Sequence, residues 1–422
     1  MPEIQPFAAL RYNPETVDLE KVVVPPYDVI KEADRRKMAE EPYSGVRLTL
    51  TTDDPGDTET SNKYTRSRDL FRAWQEEGAL VKDAGPSLYV LAQDFTWDGR
   101  RYTRMHLVAS VRLHEWAEGV ILPHEKILQG PKDDRQRLIE TTRANYEPVF
   151  GLTMGSGRAF RGLLEANSQG DPLLEVTLPN GERNRVWRVS DPEAMAEFQR
   201  VLADTQVVIA DGHHRYTASL GVKRDMNARE GAGPWDYLMM TLAAMEDPDL
   251  LVLPTHRIVS GMEDFSFDLL VEKLDAAFVI EEQDSLENLL RAMDEKPGVA
   301  MGLLAWPESA FLLTPWETDR VADLVPGEQS EAWKSLDVSV LHGLVMDRML
   351  GLGAGESPRI RYTRDASEAH HAIESGEAQL AFLLKPTPPD AVRVIALNGE
   401  TMPQKSTFFY PKLLTGLLMR EW

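Results

Sequence analysis

The chain has 422 residues, of which 46 are Lys or Arg and 68 are Asp or Glu, so its formal net charge is −22 at pH 7. A surface this acidic repels polyanions, and nucleic acid is therefore not expected as the main partner. The absence of cysteine excludes disulfides, thiolate nucleophiles and cysteine-ligated zinc. The length predicts two or three subdomains.

The termini and the apolar runs bear on localisation. Residues 1–4 lack the basic and then apolar pattern of a secretory signal. The sequence also has no run of about 18 apolar residues, the length that a membrane-spanning helix needs. We therefore expect a cytoplasmic protein with no membrane partner.

Taken in chain order, the first notable segment follows residues 22–24. Two consecutive prolines end that apolar run in a rigid bend, where Tyr27 and Asp28 can hydrogen-bond a ligand. A purely structural bend is the alternative. Alternation predicts a strand over 47–51, helical spacing follows over 64–74, and strands over 87–94 and 99–112 form a hairpin.

The second notable segment places three polar residues at a predicted strand end. Residues 120–122 form the strand and a proline ends it, directly before His124, Glu125 and Lys126. Because ligands bind at strand ends in α/β proteins, Glu125 is a candidate general base, and His124 and Lys126 are candidate phosphate contacts. A solvated charged loop is the alternative.

A helix is predicted over 138–146, ending before a proline. Arg143 and Asn145 lie in its last turn and are candidate substrate contacts. Further on, the pattern predicts strands over 150–154, 173–178, 185–189, 235–244, 299–304 and 310–313, and helices over 159–166, 192–203, 265–278, 285–293 and 341–349.

The stretch around residue 211 carries the strongest signal. Residues 207–210 are β-branched and apolar, which predicts a buried strand, and Asp211-Gly212 then forms a turn before a helix. Asp211 is expected to cap that helix.

The first turn of that helix contains His213, His214 and Arg215. Cations there oppose the helix dipole, which favours negative charge by about 0.3–1 kcal/mol. A bound phosphate or carboxylate resolves the conflict, because backbone N–H groups, imidazoles and a guanidinium all favour an anion. The alternative is a capped helix with solvated histidines.

The third notable segment lies near the C-terminus. Residues 401–420 contain no acidic residue in an otherwise acidic chain, and Lys405 and Ser406 are candidate phosphate contacts. Aromatic residues at 408–410 indicate that the segment packs against the protein, which an ordinary docked terminal segment also explains.

These segments support a division into four parts: an N-terminal α/β subdomain (1–115), a core with the two histidine motifs (116–260), an α/β insertion or second subdomain (261–350) and a C-terminal subdomain (351–422). One compact unit is the alternative.

The segments PPYDVI, ILPHEK, GPKDDRQRLIETTRANYEPVF, IADGHHRYTASL and MPQKSTFFYPKLLTG together resemble domain of unknown function family 1015. More distantly, a strand followed by DGHHR resembles the free serine kinases of the ParB and sulfiredoxin-like superfamily. The resemblance implies a mixed α/β fold with a ParB/sulfiredoxin-like core. It also implies phosphate contacts for residues 212–215, a metal or hydroxyl contact for Asp211, and the base role for Glu125. The chain is much longer than those kinases.

The leading hypothesis is phosphoryl transfer between a nucleotide (ATP or ADP) or pyrophosphate and a small hydroxylated metabolite, with serine or phosphoserine as the first candidates. Glu125, Asp211 and His213 are the predicted catalytic residues, and Mg²⁺ is expected to bridge the phosphates. The alternatives are a nucleotide-binding regulatory switch and a metal-dependent phosphatase. The leading hypothesis assumes that the separated motifs converge, whereas the switch needs the DGHHR turn but not Glu125.

Overall fold

The computed structural model describes residues 1–126, 129–307, 309–317, 320–353 and 357–422, with the backbone alone for 129–131. The chain forms two compact units. Unit 1 contains Met1–Pro123, Ile127–Leu250 and Pro411–Trp422, and unit 2 contains His124–Lys126 and Leu251–Tyr410. A compact unit need not be a segment that folds alone, so the division into four parts stays a prediction.

The strands are β1 (Ile4–Gln5), β2 (Leu10–Tyr12), β3 (Leu80–Lys82), β4 (Leu88–Trp97), β5 (Arg100–Arg112), β6 (Ile121–Leu122), β7 (Ala144–Asn145), β8 (Val149–Met154), β9 (Leu174–Thr177), β10 (Arg183–Val189), β11 (Gln206–Asp211), β12 (Tyr237–Ala244), β13 (Leu251–Leu253), β14 (His256–Val259), β15 (Phe278–Gln283), β16 (Met301–Ala305), β17 (Ser309–Pro315), β18 (Ile360–Thr363), β19 (Leu380–Leu383), β20 (Phe408–Tyr410) and β21 (Arg420–Glu421).

The helices are α1 (Leu19–Val22), α2 (Glu32–Met38), α3 (Val46–Thr49), α4 (Lys63–Glu76), α5 (Gln129–Thr142), α6 (Gly157–Ala166), α7 (Pro192–Leu202), α8 (His213–Glu230), α9 (Phe267–Asp275), α10 (Leu286–Glu295), α11 (Val321–Leu324), α12 (Glu331–Lys334), α13 (Asp337–Val340), α14 (Ala366–Glu374) and α15 (Pro389–Leu397). A π-helix spans Leu341–Met349, and 3-10 turns occur at Tyr27–Val29, Trp116–Glu118 and Pro234–Asp236.

Unit 1 is built on a nine-stranded mixed sheet in the order β6-β11-β8-β12-β5-β4-β10-β9, with β1 added to β5. Strand β11 runs parallel to β6 and antiparallel to β8, and β8 runs parallel to β12. The apolar side chains of β11 and of α8 enter the same core, so the turn between them is held from both sides. Unit 2 contains a six-stranded antiparallel sheet in the order β15-β17-β16-β19-β14-β18. The predicted mixed α/β class is confirmed.

Two sequence predictions near the N-terminal motifs are wrong. Residues 47–51 were expected to form a strand, but α3 occupies Val46–Thr49, because one buried helical turn with apolar residues two apart gives the same short alternation. The helix predicted over 138–146 ends at residue 142, since Arg143 takes a left-handed φ of 51° and β7 follows. No helix among the described residues combines the length and the apolar character needed to cross a lipid bilayer.

Gly151 lies in the middle of β8, between β11 and β12. A Cβ atom added there would lie 2.6 Å from Val207 Cγ1 and 2.9 Å from Leu242 Cδ2. Both neighbours are fully buried, so neither can move aside without disturbing the core that supports the β11–α8 turn.

We expect Gly151→Ala to lower the free energy of unfolding by about 1–3 kcal/mol, the usual cost of overpacking a core, as measured by urea denaturation. Gly162→Ala is the matched control: Gly162 is exposed in α6, a Cβ there meets no described atom within 4 Å, and helix propensity favours alanine. Equal unfolding midpoints for Gly151→Ala and the unsubstituted protein would contradict this packing.

Candidate functional site

The turn between β11 and α8 depends on Gly212. Its φ of 92° and ψ of 29° lie in the left-handed region that favours glycine. A Cβ atom there would also lie 3.1 Å from the guanidinium of Arg215. Glycine is thus required both by the backbone and by the side chain that packs under it, and the predicted strand-turn-helix is confirmed.

Asp211 does not cap α8, contrary to the sequence prediction. Its Oδ1 atom accepts a hydrogen bond from Lys412 Nζ at 2.6 Å, and its Oδ2 atom accepts one from Arg215 Nη2 at 2.9 Å. Both bonds join groups of opposite charge and are therefore charge-assisted. One carboxylate therefore pairs with two cations at the start of the helix.

The charges at this turn reinforce one another. Burial alone would raise the pKa of Asp211, but Lys412 and Arg215 outweigh it and hold that pKa well below its usual range. Burial would lower the pKa of Arg215, yet Glu147 and Asp211 outweigh that effect and raise it. The Asp211 carboxylate and the Arg215 guanidinium are consequently both charged at neutral pH.

Arg215 points into the protein and is 6% exposed. Its Nη1 atom donates to the carbonyl of Pro148, which ties the helix to the residue before β8. His213 is buried and His214 is half-buried in the same helical turn. Arg215 thus stabilises the turn. The predicted residues 211–215 lie together because they are consecutive in the chain.

The sequence did not single out Lys412 as a site residue. Its carbonyl accepts from Gln93 Nε2 at 3.3 Å, and the preceding carbonyl of Pro411 accepts from Arg104. Arg104 is fully buried, and burial, partly offset by Asp247, lowers its pKa to about 9. The acid-free C-terminal stretch was the only signal for Lys412, because its partner Asp211 is 201 residues away.

The second and third sequence motifs meet in unit 2. Glu125 Oε1 accepts from the backbone N–H of Lys405 at 2.6 Å, across 280 residues. His124 Nε2 lies 2.9 Å from Thr407 Oγ1, and the His124 carbonyl accepts from the N–H of Met402 at 2.8 Å. These contacts hold the HEK motif against the MPQKST motif, two of the segments that the leading hypothesis assumed to converge.

The peptide group of Lys405 is held from both sides. Its φ is 58°, and its carbonyl accepts from Arg257 Nη2 at 3.0 Å. Arg257 is 1% exposed and also donates from Nε to His342 Nε2 at 3.2 Å. Burial lowers the pKa of Arg257 to about 10 and that of His342 to about 3, so the histidine is a neutral acceptor.

The remaining predicted phosphate contacts differ in exposure. The side chains of Lys126 and Lys405 are exposed. Ser406 is buried, and its hydroxyl donates to the carbonyl of Pro403. The lysines can therefore reach a ligand in solution, whereas the serine hydroxyl already has a backbone acceptor.

The predicted substrate contacts lie in different surroundings. Tyr27 lies under the guanidinium of Arg135, whose central carbon is 4.3 Å from the ring centroid, and Asp28 is exposed. Asn145 is buried and accepts from the N–H of Met239 at 3.2 Å. Arg143 lies at the surface, where its Nη2 atom is 3.6 Å from Glu230 Oε1. Asn145 and Arg143 thus diverge because Arg143 takes the left-handed conformation that ends α5.

The predicted Mg²⁺ finds no ligand set among the described residues, which contain no group of three or more His, Asp or Glu side chains placed to hold a metal ion. Asp211, the one predicted ligand, already has a cation at each oxygen. A further divalent cation would be repelled there, so no chemical step is assigned to a metal.

Several solved structures are similar to this chain. A conserved hypothetical protein from Pyrococcus furiosus is 15% identical, with a TM-score of 0.34, 74% of this chain covered and 95% of that one. Free serine kinase in complex with AMP is 14% identical, with a TM-score of 0.36 and coverage of 74% and 92%. SbnI from Staphylococcus aureus, truncated at its C-terminus, is 10% identical, with a TM-score of 0.36 and coverage of 73% and 85%.

A search of curated proteins found no match. The family model described as protein of unknown function, DUF1015, matches residues 4–339. That span includes the PPYDVI, ILPHEK and IADGHHRYTASL motifs, on which the sequence prediction of this family rested. The chain belongs to the DUF1015 family of proteins of unknown function.

Proposed function

We propose that this protein is a phosphotransferase that moves a phosphoryl group between ATP, ADP or pyrophosphate and a small hydroxylated metabolite, with serine or phosphoserine as the first candidates. The observation that carries the proposal is the ion pair between Lys412 and Asp211, beside the glycine turn that begins α8. It puts a cation of the C-terminal motif at the start of the DGHHR helix.

This turn has the features that a phosphate needs. The helix has 18 residues, and its N-terminal end carries a partial positive charge. Gly212 presents no side chain, so an anion can approach the backbone N–H groups closely. His213 and His214 add two imidazoles in the first turn, and Lys412 adds a full charge. Phosphoryl transfer depends on such charge neutralisation and positioning.

Lys412 is held at the start of α8 by Asp211, whose Oδ1 atom accepts from Lys412 Nζ at 2.6 Å. The carboxylate fixes the direction of the lysine side chain, and Arg215 fixes the carboxylate. In this proposal Asp211 acts as a positioning residue for Lys412, which differs from the catalytic or metal-binding role that the sequence predicted.

Glu125 is the proposed general base. Its carboxylate is oriented by the Lys405 N–H, and a fixed orientation favours proton transfer. The alternative of a nucleotide-binding switch needs the DGHHR turn but not this carboxylate. The phosphatase alternative is not retained, because the described residues supply no group of metal ligands.

Substituting Lys412 tests the phosphate site. We expect Lys412→Met to raise the Kd for ADP about tenfold or more in calorimetric titration, because a charge-assisted hydrogen bond contributes about 1.5–3 kcal/mol. Lys412→Arg keeps the charge and should lose less. Lys37→Met, on the exposed face of α2, should bind like the unsubstituted protein. An unchanged Kd for Lys412→Met would show that Lys412 does not bind the phosphates of ADP, and would contradict the proposal.

Substituting Glu125 separates catalysis from binding. With ATP and serine as substrates, followed by phosphorus NMR, we expect Glu125→Gln to lower turnover by about 10²–10⁴-fold, the range for a lost general base. ADP affinity should not change. Glu295→Gln, exposed at the end of α10, is the matched control.

Two results would count against this function. Equal turnover by Glu125→Gln and Glu295→Gln would exclude Glu125 as the base. Nucleotide binding without turnover, across ATP, ADP and pyrophosphate with serine or phosphoserine, would favour the regulatory switch.

A further inference from the structure

A small cavity lies inside unit 1, beneath the β11–α8 turn. Its volume is about 30 Å³, more than the roughly 10–15 Å³ that one water molecule needs. The polar residues that line it come from α3, α5, the segment around β7 and the first turn of α8, and are Thr49, Arg135, Asn145, Tyr146, Glu147 and Arg215. None of these residues belongs to the HEK or MPQKST motifs.

Arg215 presents an unsatisfied donor here. Its two terminal nitrogens donate to Pro148 and Asp211, but its Nε atom is buried and has no hydrogen-bond partner among the described residues. A buried N–H without an acceptor is costly, and native structures seldom leave one. An acceptor bound in the cavity that Arg215 lines could satisfy the Nε–H group.

Asn145 supplies a second donor. Its Oδ1 atom accepts from the N–H of Met239, which fixes the orientation of the amide. The opposite Nδ2 atom belongs to the same amide, which lines the cavity. Asn145 therefore adds a donor group to the lining.

The charges of the lining also favour an anion. Arg135 and Arg215 are each 6% exposed and contribute two positive charges, against one negative charge from Glu147. Glu147 Oε1 already accepts from the Tyr27 N–H at 2.9 Å and from the Thr415 hydroxyl at 2.8 Å.

The carboxylates next to the two arginines are balanced by lysines. Asp211 is shared with Lys412 at 2.6 Å, and Asp134, which pairs with Arg135, is shared with Lys63 at 3.1 Å. Among the residues that line the cavity, the two arginines therefore outnumber the one glutamate.

We propose that this cavity binds one small monovalent anion, the size of a carboxylate group, through Arg215 Nε, the Asn145 amide and the Arg135 guanidinium. The volume excludes a phosphate group together with a nucleoside, so the site is distinct from the proposed nucleotide site. The same chemistry fits the carboxylate of a small metabolite or an inorganic anion. The inference does not depend on phosphoryl transfer.

Bromide is a direct probe, because its anomalous X-ray scattering identifies it against water. In crystals of the full chain soaked in sodium bromide, we expect an anomalous peak within hydrogen-bond distance of Arg215 Nε. Peaks confined to the protein surface, with water or nothing beside that atom, would overturn the proposal.

Thermal unfolding in the presence of sodium formate, acetate or lactate identifies the source of the anion. Saturable stabilisation by all three indicates a metabolite carboxylate, and stabilisation by formate alone indicates an anion of inorganic size. Ala144→Val narrows the cavity without changing a charge and should abolish the saturable part. Arg215→Lys, which removes Nε, should do the same if it folds. Equal salt responses in Ala144→Val and the unsubstituted protein would contradict the site.

Discussion

The carboxylate of Asp211 is shared between Lys412 and Arg215, and the arrangement around the DGHHR motif depends on this sharing. Arg215 is in turn tied to the Pro148 carbonyl and packs under Gly212. These contacts thus fix the end of β11, the glycine turn and the first turn of α8 relative to one another. Lys412 reaches that geometry from a position 201 residues away, so the C-terminal segment completes a site that the central motif begins.

The C-terminal segment is held by two buried arginines, each of which donates to a backbone carbonyl and to a histidine. In unit 2, Arg257 donates to the Lys405 carbonyl and to a histidine, His342. In unit 1, Arg104 donates to the Pro411 carbonyl and to a histidine, His106. Burial holds the pKa of His106 and that of His342 well below the usual value, so each accepts as a neutral ring. Each arginine thus holds a backbone carbonyl of the C-terminal segment in place, that of Pro411 or that of Lys405.

Local patterns predicted the elements that local chemistry decides. The Asp98-Gly99 turn takes positive φ at both residues, as a two-residue hairpin needs, and β4 and β5 pair as expected. The β-branched run before Asp211 forms the buried β11. The family, too, followed from its motifs.

The other contacts of the candidate site join residues that are far apart in the sequence, and no local sequence pattern encodes such contacts. Asp211 looked like a helix cap because one of its two cationic partners, Lys412, lies 201 residues away in the sequence. No local pattern marks Arg104 within the predicted hairpin, although its strand is central in the sheet and its side chain is fully buried. The contact of Glu125 with Lys405 joined two motifs that the spacing alone kept apart.

The central claim is that Lys412, placed by Asp211, and the start of α8 together hold phosphate. A crystal structure of the full chain with ADP tests it most directly. The account predicts phosphate oxygens at the backbone N–H groups that follow Gly212, with Lys412 Nζ within hydrogen-bond distance of one of them. ADP bound at another surface, with the Lys412–Asp211 pair intact and no phosphate at the helix, would contradict it.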